Sequence, residues 1–338
     1  MKRVGGLMEA VVDPENMRIA YYRAQRGKED RPGVRAFSAH LQDNLSSVRE
    51  ALLSGACSFG DYHYFKVYDK KERTICAAAF RERVAHHALM RVCDPVFERV
   101  QIADSYASRR GKGTFAALDR AQAFTRNYAW FLKLDARKYF DSIDHEILKR
   151  QLKRLFKDAT VLRLLDAVID SYETEPGRGV PIGNLTSQYF ANHYLSIADH
   201  FVKERLRVPG YVRYMDDMLL WSHDKTRLLT VGKALQAFLD TELALSLKPF
   251  CLNRSARGLP CLGFLVFPKT IRLDARSRKR YRRKLAAAYG ELVDGDIDQH
   301  DFSPRIAALV AHTEHADSVG FRRQVLHSFG YRPRARTA

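Results

Sequence analysis

YVRYMDDMLLWS, residues 211–222, is the stretch that decides the fold of this chain. Apolar residues flank the adjacent pair Asp216 and Asp217, a pattern that predicts a strand–turn–strand hairpin with the two carboxylates at its tip. Two adjacent carboxylates repel each other unless a proton or a cation lies between them. Because oxygen ligands favour Mg²⁺ or Mn²⁺, the hairpin predicts a divalent metal site; an exposed acidic turn is the simpler alternative.

A second apolar run, WFLKLD at residues 130–135, ends on a third carboxylate, Asp135. We expect this run to be a buried strand whose end meets the tip of the hairpin. Three carboxylates at one place would hold two metal ions about 3.5–4 Å apart. One ion would activate a primer 3′-hydroxyl and the other would stabilise the leaving pyrophosphate, so the predicted chemistry is in-line phosphoryl transfer.

The charge balance points to a polyanionic partner. Lys and Arg together number 57 and Asp and Glu number 39, which gives a formal net charge of +18. An excess of this size attracts polyanions at long range, and nucleic acid is the usual target. A basic surface that only keeps the protein soluble is the alternative.

The cysteines and the N-terminus bear on the compartment. None of the five cysteines forms a C-x-x-C pair, which favours free thiols in a reducing environment. The first residues lack the continuous apolar core of a signal peptide, and no stretch approaches the roughly 18 apolar residues that span a bilayer. We therefore expect a cytoplasmic protein with no membrane partner.

Helical and strand periodicities alternate along the chain. Residues 59–80 predict two strands around a charged turn, and residues 259–267 predict one strand. A helix begins near Ser142 or Asp144, either of which could cap it. Further helices are predicted at residues 15–54 around a loop, 81–99, from 114, 159–171, 185–205 and 225–244. A basic, helical remainder begins near residue 269.

Four motifs together resemble the reverse transcriptase family. YMDD at 214–217 resembles the family signature, and FLKLDARKYFDSIDH at 131–145 resembles the motif of the first metal-binding aspartate. GVPIGNLTSQYFANHYL at 179–195 is similar to the nucleotide-pocket loop and helix, and LGFLV at 262–266 to the primer-gripping hairpin. Their order and spacing agree from about residue 16 to residue 284.

The resemblance implies the fold and its division. We expect an α+β right-hand polymerase with fingers, a palm of antiparallel sheet plus helices, and a helical thumb. Residues 1–130 would hold N-terminal helices and fingers. Residues 131–268 would form the palm, with the nucleotide-pocket loop, the YMDD turn and some inserted finger elements, and residues 269–338 would form a basic thumb and tail. We expect no intron-type maturase or endonuclease extension after the thumb.

Two residue pairs suggest a type within the bacterial, group II intron-like enzymes. Intron enzymes typically carry Gln-Gly and Ser-Pro where this chain has Ile182-Gly183 and Ser187-Gln188. The pattern here resembles the reverse transcriptases of diversity-generating retroelements. That resemblance implies mutagenic retrohoming: error-prone copying of a template RNA into cDNA from dNTPs, with a small basic accessory protein as partner. A DNA-synthesising enzyme of phage defence, or of another unassigned bacterial system, is one alternative. A catalytically dead nucleic-acid-binding scaffold is another, although the intact carboxylate triple argues against it.

The resemblance also assigns roles at the site. Two Mg²⁺ ions, or Mn²⁺ in their place, would be held by Asp135, Asp216, Asp217 and the backbone carbonyl of Ala136. Phe140 would exclude a ribose 2′-hydroxyl, with core packing as an alternative that is compatible with this role. The other residues expected at the nucleotide are Lys71, Arg73, Arg81, Ile182, Gln188 and Lys248.

Alternatives stay open for several of these residues. Lys71 and Arg73 would clamp the triphosphate, since an Arg fork bonds two phosphate oxygens, or they would be a solvated hairpin tip; Arg81 could instead bind template or cap a helix. Ile182 cannot hydrogen-bond to a base, which suggests low fidelity or simple packing. Lys248 would protonate the leaving pyrophosphate or lie at the surface.

Two basic segments are expected to bind nucleic acid. Arg109, Arg110 and Lys112 precede a helix N-terminus, where phosphates bind. Residues 272–284 carry eight Lys or Arg and would track the duplex or an accessory RNA with strong salt dependence; a solvated helix face is the alternative. The residues singled out in that run are Arg278, Lys279, Arg282 and Arg283.

Overall fold

The computed structural model describes residues 2–68 and 72–329. Helices and strands alternate along the chain, so the fold is mixed α+β. The helices are α1 Met8–Val11, α2 Pro14–Gln25, α3 Pro32–Ala39, α4 Leu41–Ser54, α5 Phe80–Glu98, α6 Thr114–Asn127, α7 His145–Leu155, α8 Ala159–Asp170, α9 Leu185–Tyr194, α10 Ser196–His200, α11 Lys225–Leu243, α12 Ala275–Val293, α13 Gln299–Glu314 and α14 Val319–Ser328. The strands are β1 Tyr62–Tyr68, β2 Glu72–Ala78, β3 Trp130–Asp135, β4 Gly210–Tyr214, β5 Asp217–Ser222, β6 Cys251–Arg254, β7 Leu259–Cys261, β8 Phe264–Val266 and β9 Ile271–Leu273.

A four-stranded antiparallel sheet, in the order β4-β5-β3-β6, carries the predicted site. Side chains alternate between the two faces of a strand, and here both faces are apolar. Leu132 and Leu134 of β3 lie in the larger core, while Phe131 lies in a second core on the other face. The sheet is therefore covered on both sides, and its two aspartates, Asp135 and Asp217, lie where β3 ends and β5 begins.

Helices cover the face of the sheet that belongs to the larger core. α11 packs on β3 and β5, and its Gly232 permits a close approach, since a Cβ there would lie 2.8 Å from Cδ2 of Leu132. Of the two candidate caps of α7, the structure has Asp144, whose side chain accepts from the backbone N–H of Ile147. None of the helices in the described residues combines the length and apolar composition needed to cross a membrane.

The helix expected at residues 185–205 is interrupted. α9 and α10 meet at Leu195, and a π-helical turn, Phe201–Arg205, follows α10. The Ser196 hydroxyl donates to the carbonyl of His193 at 2.6 Å. Such side-chain bonds compete with the helical hydrogen-bond ladder, and hydrophobic periodicity does not reveal them.

The strands β1 and β2 form the antiparallel hairpin predicted for residues 59–80, from Tyr62 opposite Ala78 to Tyr68 opposite Glu72. The residues at its tip, 69–71, lie outside the described residues, and Lys71 is among them. Most of the side chains nearest the tip are exposed. The hairpin is anchored at its base, where α5 begins.

The segment 259–267 is not the single strand that we expected. Leu262 and Gly263 have φ values of 50° and 89°, which turn the chain into a hairpin of β7 and β8. β9 then pairs with β8, so this three-stranded sheet continues across residue 268, where the sequence suggested a boundary. α12 begins after Asp274, whose side chain accepts from the N–H of Ser277.

Candidate active site

Asp135 and Asp217 lie directly opposite each other in the pairing of β3 with β5. Asp135 is the last residue of its strand and Asp217 is the first residue of the next one, so both carboxylates lie at one end of the sheet. The backbone beyond Asp135 is held as well, because its carbonyl accepts from the N–H of Lys248 at 2.9 Å. Ala136 is buried and bridges Leu247 on the same segment. Three segments therefore meet at this end of the sheet: residues 135–136, 214–217 and 247–248.

The turn between β4 and β5 carries the third carboxylate. Met215 adopts a left-handed conformation with φ of 51°, which is uncommon outside glycine. Burial, together with the charges of Asp135 and Asp217, raises the pKa of Asp216 to about 6. The charges of Asp135 and Asp217 thus destabilise the ionised form of Asp216, as expected of a cluster that a cation would stabilise.

Each of the two facing carboxylates, Asp135 and Asp217, is contacted by a different lysine. The Nζ atom of Lys248 lies 2.5 Å from Oδ1 of Asp135, and that of Lys133 lies 2.8 Å from Oδ1 of Asp217. Burial alone would lower the pKa of Lys133, but the attraction of Asp217 outweighs it and raises the pKa. Lys133 was not singled out from the sequence. A charged residue inside an otherwise apolar strand was the sequence feature that could have identified it.

Arg213, in β4, hydrogen-bonds to the turn between β4 and β5. It is fully buried, and its guanidinium donates to both carboxylate oxygens of Asp199 and, through Nη1, to the carbonyl of Met215 at 3.2 Å. Asn192 and Gln101 accept further hydrogen bonds from it. Burial alone would lower the pKa of Arg213, but the contacts with Asp199 raise it. This residue was also missed, although an arginine between apolar strand residues was the signal.

The loop at residues 179–184, which we predicted to shape a nucleotide pocket, connects the segment after β3 to the hairpin of β1 and β2. The N–H of Val180 donates to the carbonyl of Phe140, and the N–H of Cys76 in β2 donates to the carbonyl of Ile182 at 2.8 Å. Gly183 has φ of 122°, and a Cβ there would lie 2.7 Å from Cγ2 of Ile75. The sequence of this loop therefore suits its close contact with β2.

The side chains of this pocket differ in exposure. Phe140 and Ile182 are half-buried, whereas Tyr139 is buried, its hydroxyl donating to the carbonyl of Ala191. Tyr139 therefore packs in the protein interior. Gln188, at the start of α9, is exposed and accepts from the hydroxyl of Ser108 at 3.0 Å.

The basic residues of the hairpin region lie in different surroundings. Arg73 is exposed on β2, opposite Val67. Arg81, in the first turn of α5, is also exposed and donates to the hydroxyl of Ser47 in α4 at 2.9 Å. Lys71 lies outside the described residues. Arg73 is thus exposed near the hairpin tip, whereas Arg81 is held against α4.

Arg109 is largely buried and is engaged within the protein. It pairs with Glu98 and donates to the carbonyls of Ile102 and Ser105, each at 2.6 Å. These contacts hold the loop before α6, and phosphate binding by Arg109 stays a prediction. Arg110, by contrast, is highly exposed.

Lys112 lies near the same loop and is partly engaged. Its Nζ donates to the carbonyl of Ala103 at 2.8 Å and lies 5.0 Å from the centre of the Tyr106 ring. Of the three basic residues in this segment, Arg110 is therefore the one whose charge is most open to solvent.

The basic residues of α12 divide between two sides of the helix. A cavity of about 640 Å³ opens between α12, the N-terminus of α6 and the turn of β7 and β8. The basic residues of α12 that line it are Arg276, Lys279, Arg280 and Arg283. Arg278 lines a separate pocket beside Phe321, and the guanidinium of Arg282 lies 5.4 Å from the centre of the same ring. The four residues singled out from the sequence thus form two pairs with different surroundings.

Comparison with known proteins defines the class. Residues 66–249, more than half of the chain, match the family model described as reverse transcriptase (RNA-dependent DNA polymerase). The chain belongs to this family, and the domain that it carries is that of an RNA-directed DNA polymerase. The matched segment contains all three carboxylates.

The curated relatives are distant and are covered only in part. The chain is 26% identical over 187 residues to Protein YkfC of Escherichia coli, which covers 49% of this chain and 47% of that protein. It is 24% identical over 135 residues to the putative COX1/OXI3 intron 1 protein of Saccharomyces cerevisiae, covering 38% and 16%. The match to the nuclear intron maturase 1 of Arabidopsis thaliana is 27% over 88 residues, covering 26% and 12%. The chain thus spans less than half the length of each of these relatives.

A solved structure shares the fold. The apo telomerase from Candida tropicalis superposes with a TM-score of 0.50 at 12% identity, covering 65% of this chain and 49% of that chain. At this identity the likeness concerns the fold alone.

Proposed function

We propose that this chain is an RNA-directed DNA polymerase whose active site is formed by Asp135, Asp216 and Asp217. The observation that carries the proposal is the register that sets Asp135 opposite Asp217, with Asp216 on the adjoining turn. Family membership supports the same reaction. The substrates would be a template RNA, a primer and dNTPs.

The donor set fits two hard divalent cations. Carboxylate oxygens are the ligands that Mg²⁺ prefers. Burial and the charges of Asp135 and Asp217 raise the pKa of Asp216, and a cation would relieve the repulsion between these carboxylates. Asp135, Asp216 and Asp217, with the carbonyl of Ala136, would hold Mg²⁺ or Mn²⁺. When bound, the ions would supply positive charge at the reacting phosphoryl group and at the attacking hydroxyl.

The chain's own residues would orient the substrates and move one proton. The primer 3′-hydroxyl would lose its proton to solvent as its oxygen bonds to the α-phosphorus of the dNTP, while the bond from that phosphorus to the oxygen bridging to the β-phosphate breaks. Lys248, whose side chain is partly exposed beside Asp135, would donate a proton to the leaving pyrophosphate. Phe140, held by its hydrogen bond to Val180, would close the pocket to a ribose 2′-hydroxyl, and Arg73 would contact the triphosphate.

Each subdomain of the polymerase would be formed by particular helices and strands. The hairpin of β1 and β2 with the N-terminal helices would be the fingers, the four-stranded sheet with its helices the palm, and α12–α14 the thumb. We place the start of the thumb at Asp274 rather than at residue 269, because β9 pairs with β8. Lys279 and Arg283 would contact the duplex backbone.

We further propose a role in a diversity-generating retroelement. Ile182 and Gly183, with Ser187 and Gln188, support this type, and the half-buried Ile182 places an apolar side chain in the pocket loop. A small basic accessory protein would be the partner. Reverse transcription in phage defence is the second candidate, and neighbouring genes distinguish the two: a near-duplicate repeat with adenine changes favours the first.

Primer extension on an RNA template with Mg²⁺ or Mn²⁺ tests the activity. We compare the wild type with Asp216→Asn/Asp217→Asn and with a matched control, Asp294→Asn/Asp296→Asn, two exposed acids after α12. The wild type and the control should extend the primer, and the site variant should not. Equal extension by the site variant would refute the assigned site. Absence of extension by all three, even with the accessory protein and cognate RNA added, would favour a nucleic-acid-binding scaffold.

A further inference from the structure

Lys133 occupies a position that the proposed reaction does not use. It lies on β3 two residues before Asp135, so its side chain is on the same face of the sheet. Its direct partner across the ladder is Leu219, and Asp217 is the diagonal neighbour. Long side chains reach such diagonal neighbours, and the ammonium of Lys133 lies 2.8 Å from Oδ1 of Asp217.

The two lysines at the site are held differently. Lys248 follows α11 on a connecting segment, and its side chain is 44% exposed, so it can turn into solvent. Lys133 is anchored within a paired strand, and its side chain is only 22% exposed. The ammonium of Lys133 is therefore more shielded from solvent beside its aspartate than that of Lys248.

We propose that Lys133 is a built-in counter-cation that competes with divalent metal for Asp217 and thereby sets the metal affinity of the site. This inference rests on the proposed function, which makes Asp217 a metal ligand. It assigns to Lys133 a part in controlling occupancy of the site, separate from the proton donation proposed for Lys248.

The ammonium of Lys133 and a divalent cation carry like charges and repel each other. A cation that binds Asp217 must displace the Lys133 ammonium from Oδ1 or share the carboxylate with it. In either case a positive charge remains near the incoming ion, and Coulomb repulsion in a partly buried site is much stronger than in water. Removing that charge while keeping the length of the side chain should strengthen metal binding.

Lys133→Met keeps the unbranched chain and removes the ammonium. Mn²⁺ is titrated into the full chain without nucleic acid or dNTP, and free Mn²⁺ is followed by electron paramagnetic resonance. We expect the dissociation constant of Lys133→Met to fall by about tenfold, which corresponds to roughly 1.4 kcal/mol. Lys133→Arg, which retains the charge, should bind Mn²⁺ as the wild type does.

Lys149 provides a matched control. It is 15% exposed and lies 2.6 Å from Oδ1 of Asp170, so it too is a partly buried lysine paired with an aspartate, but on α7. Lys149→Met should leave Mn²⁺ affinity unchanged. Thermal unfolding of each variant identifies any that does not fold, and Lys133→Gln replaces Lys133→Met if the latter is unstable.

The outcomes separate this inference from the function on which it rests. Unchanged or weaker Mn²⁺ binding by a folded Lys133→Met would overturn the counter-cation role while leaving the active site intact. Asp217→Asn should weaken Mn²⁺ binding strongly. If Asp217→Asn binds Mn²⁺ as tightly as the wild type, then the metal site itself is wrongly placed, and the role of Lys133 falls with it.

Discussion

Arg213 and Asp199 form an ion pair in which both side chains are fully shielded from solvent, with 2.7 Å between Nη2 and Oδ2. The hydroxyl of Tyr211 donates to the same carboxylate at 2.8 Å. The guanidinium also reaches the carbonyl of Met215, in the turn that carries Asp216. The pair therefore connects α10 to the turn of the proposed active site.

Arg213→Met should destabilise the protein by about 3–5 kcal/mol, because it leaves the charge of Asp199 buried without a partner. Urea unfolding measures the loss. Arg213→Met/Asp199→Leu removes both charges and should recover much of the stability. Primer extension by the double variant should nevertheless stay low, since Met215 still lacks its donor. Full activity in the double variant would show that Arg213 contributes only to stability.

Gly183→Ala should weaken the contact between the pocket loop and β2. Its φ of 122° and the 2.7 Å approach of a Cβ to Ile75 predict a cost of about 1–3 kcal/mol and a higher KM for dNTP. Gly290→Ala is the control, because it lies in α12 with nothing within 4 Å of a Cβ. That change should stabilise by up to about 1 kcal/mol. Chemical unfolding should thus give shifts of opposite sign, and equal shifts would contradict the docked loop.

Ile182→Gln should reduce misincorporation opposite template adenine. The hydrogen bond from Cys76 to the carbonyl of Ile182 holds the backbone, so the substitution changes the chemistry of the pocket rather than the path of the loop. One added hydrogen bond of about 1 kcal/mol corresponds to roughly fivefold in error rate. Sequencing of the cDNA measures it, with Ile182→Val as the apolar control. An unchanged error rate in Ile182→Gln would leave Ile182 as a packing residue.

Lys279→Gln/Arg283→Gln should weaken binding to a primer–template duplex and reduce the slope of log affinity against log salt by about 2. Both residues line the cavity beside α6. Arg278→Gln/Arg282→Gln removes the same charge on the side near Phe321 and should change the slope much less. Fluorescence anisotropy at several salt concentrations compares the two. Equal slopes would mean that α12 acts through its overall charge.

Local structure was predictable where neighbouring residues decide it. The hairpin of β4 and β5 and the strand ending on Asp135 follow from apolar runs bounded by polar residues, and the start of α7 was narrowed to two candidate caps, Ser142 and Asp144. The β7–β8 turn was missed by periodicity, because Leu262 and Gly263 lie within a continuous apolar run. Leu262 has a positive φ, which the residue type leucine does not predict.

The basic residues show a different limit. Arg109 and Arg110 are adjacent and chemically identical, yet the first is largely buried against Glu98 and the second is exposed. Sequence spacing correctly located a basic segment before α6. The sequence could not show which of the two arginines forms contacts within the protein, because those contacts involve residues that only folding brings near.

By itself, the sequence determined the class of protein, the strands and the turn that carry the three aspartates, and the excess of positive charge. Only the tertiary structure decided that Asp135 faces Asp217, that Lys133 and Lys248 each contact one of them, and that Arg213 is buried with Asp199. The physical reason is one of range. Periodicity and turn chemistry act between near neighbours in the chain, whereas these contacts join separate elements. In strands whose pattern is apolar, the partner of each buried charge depends on how the whole sheet packs.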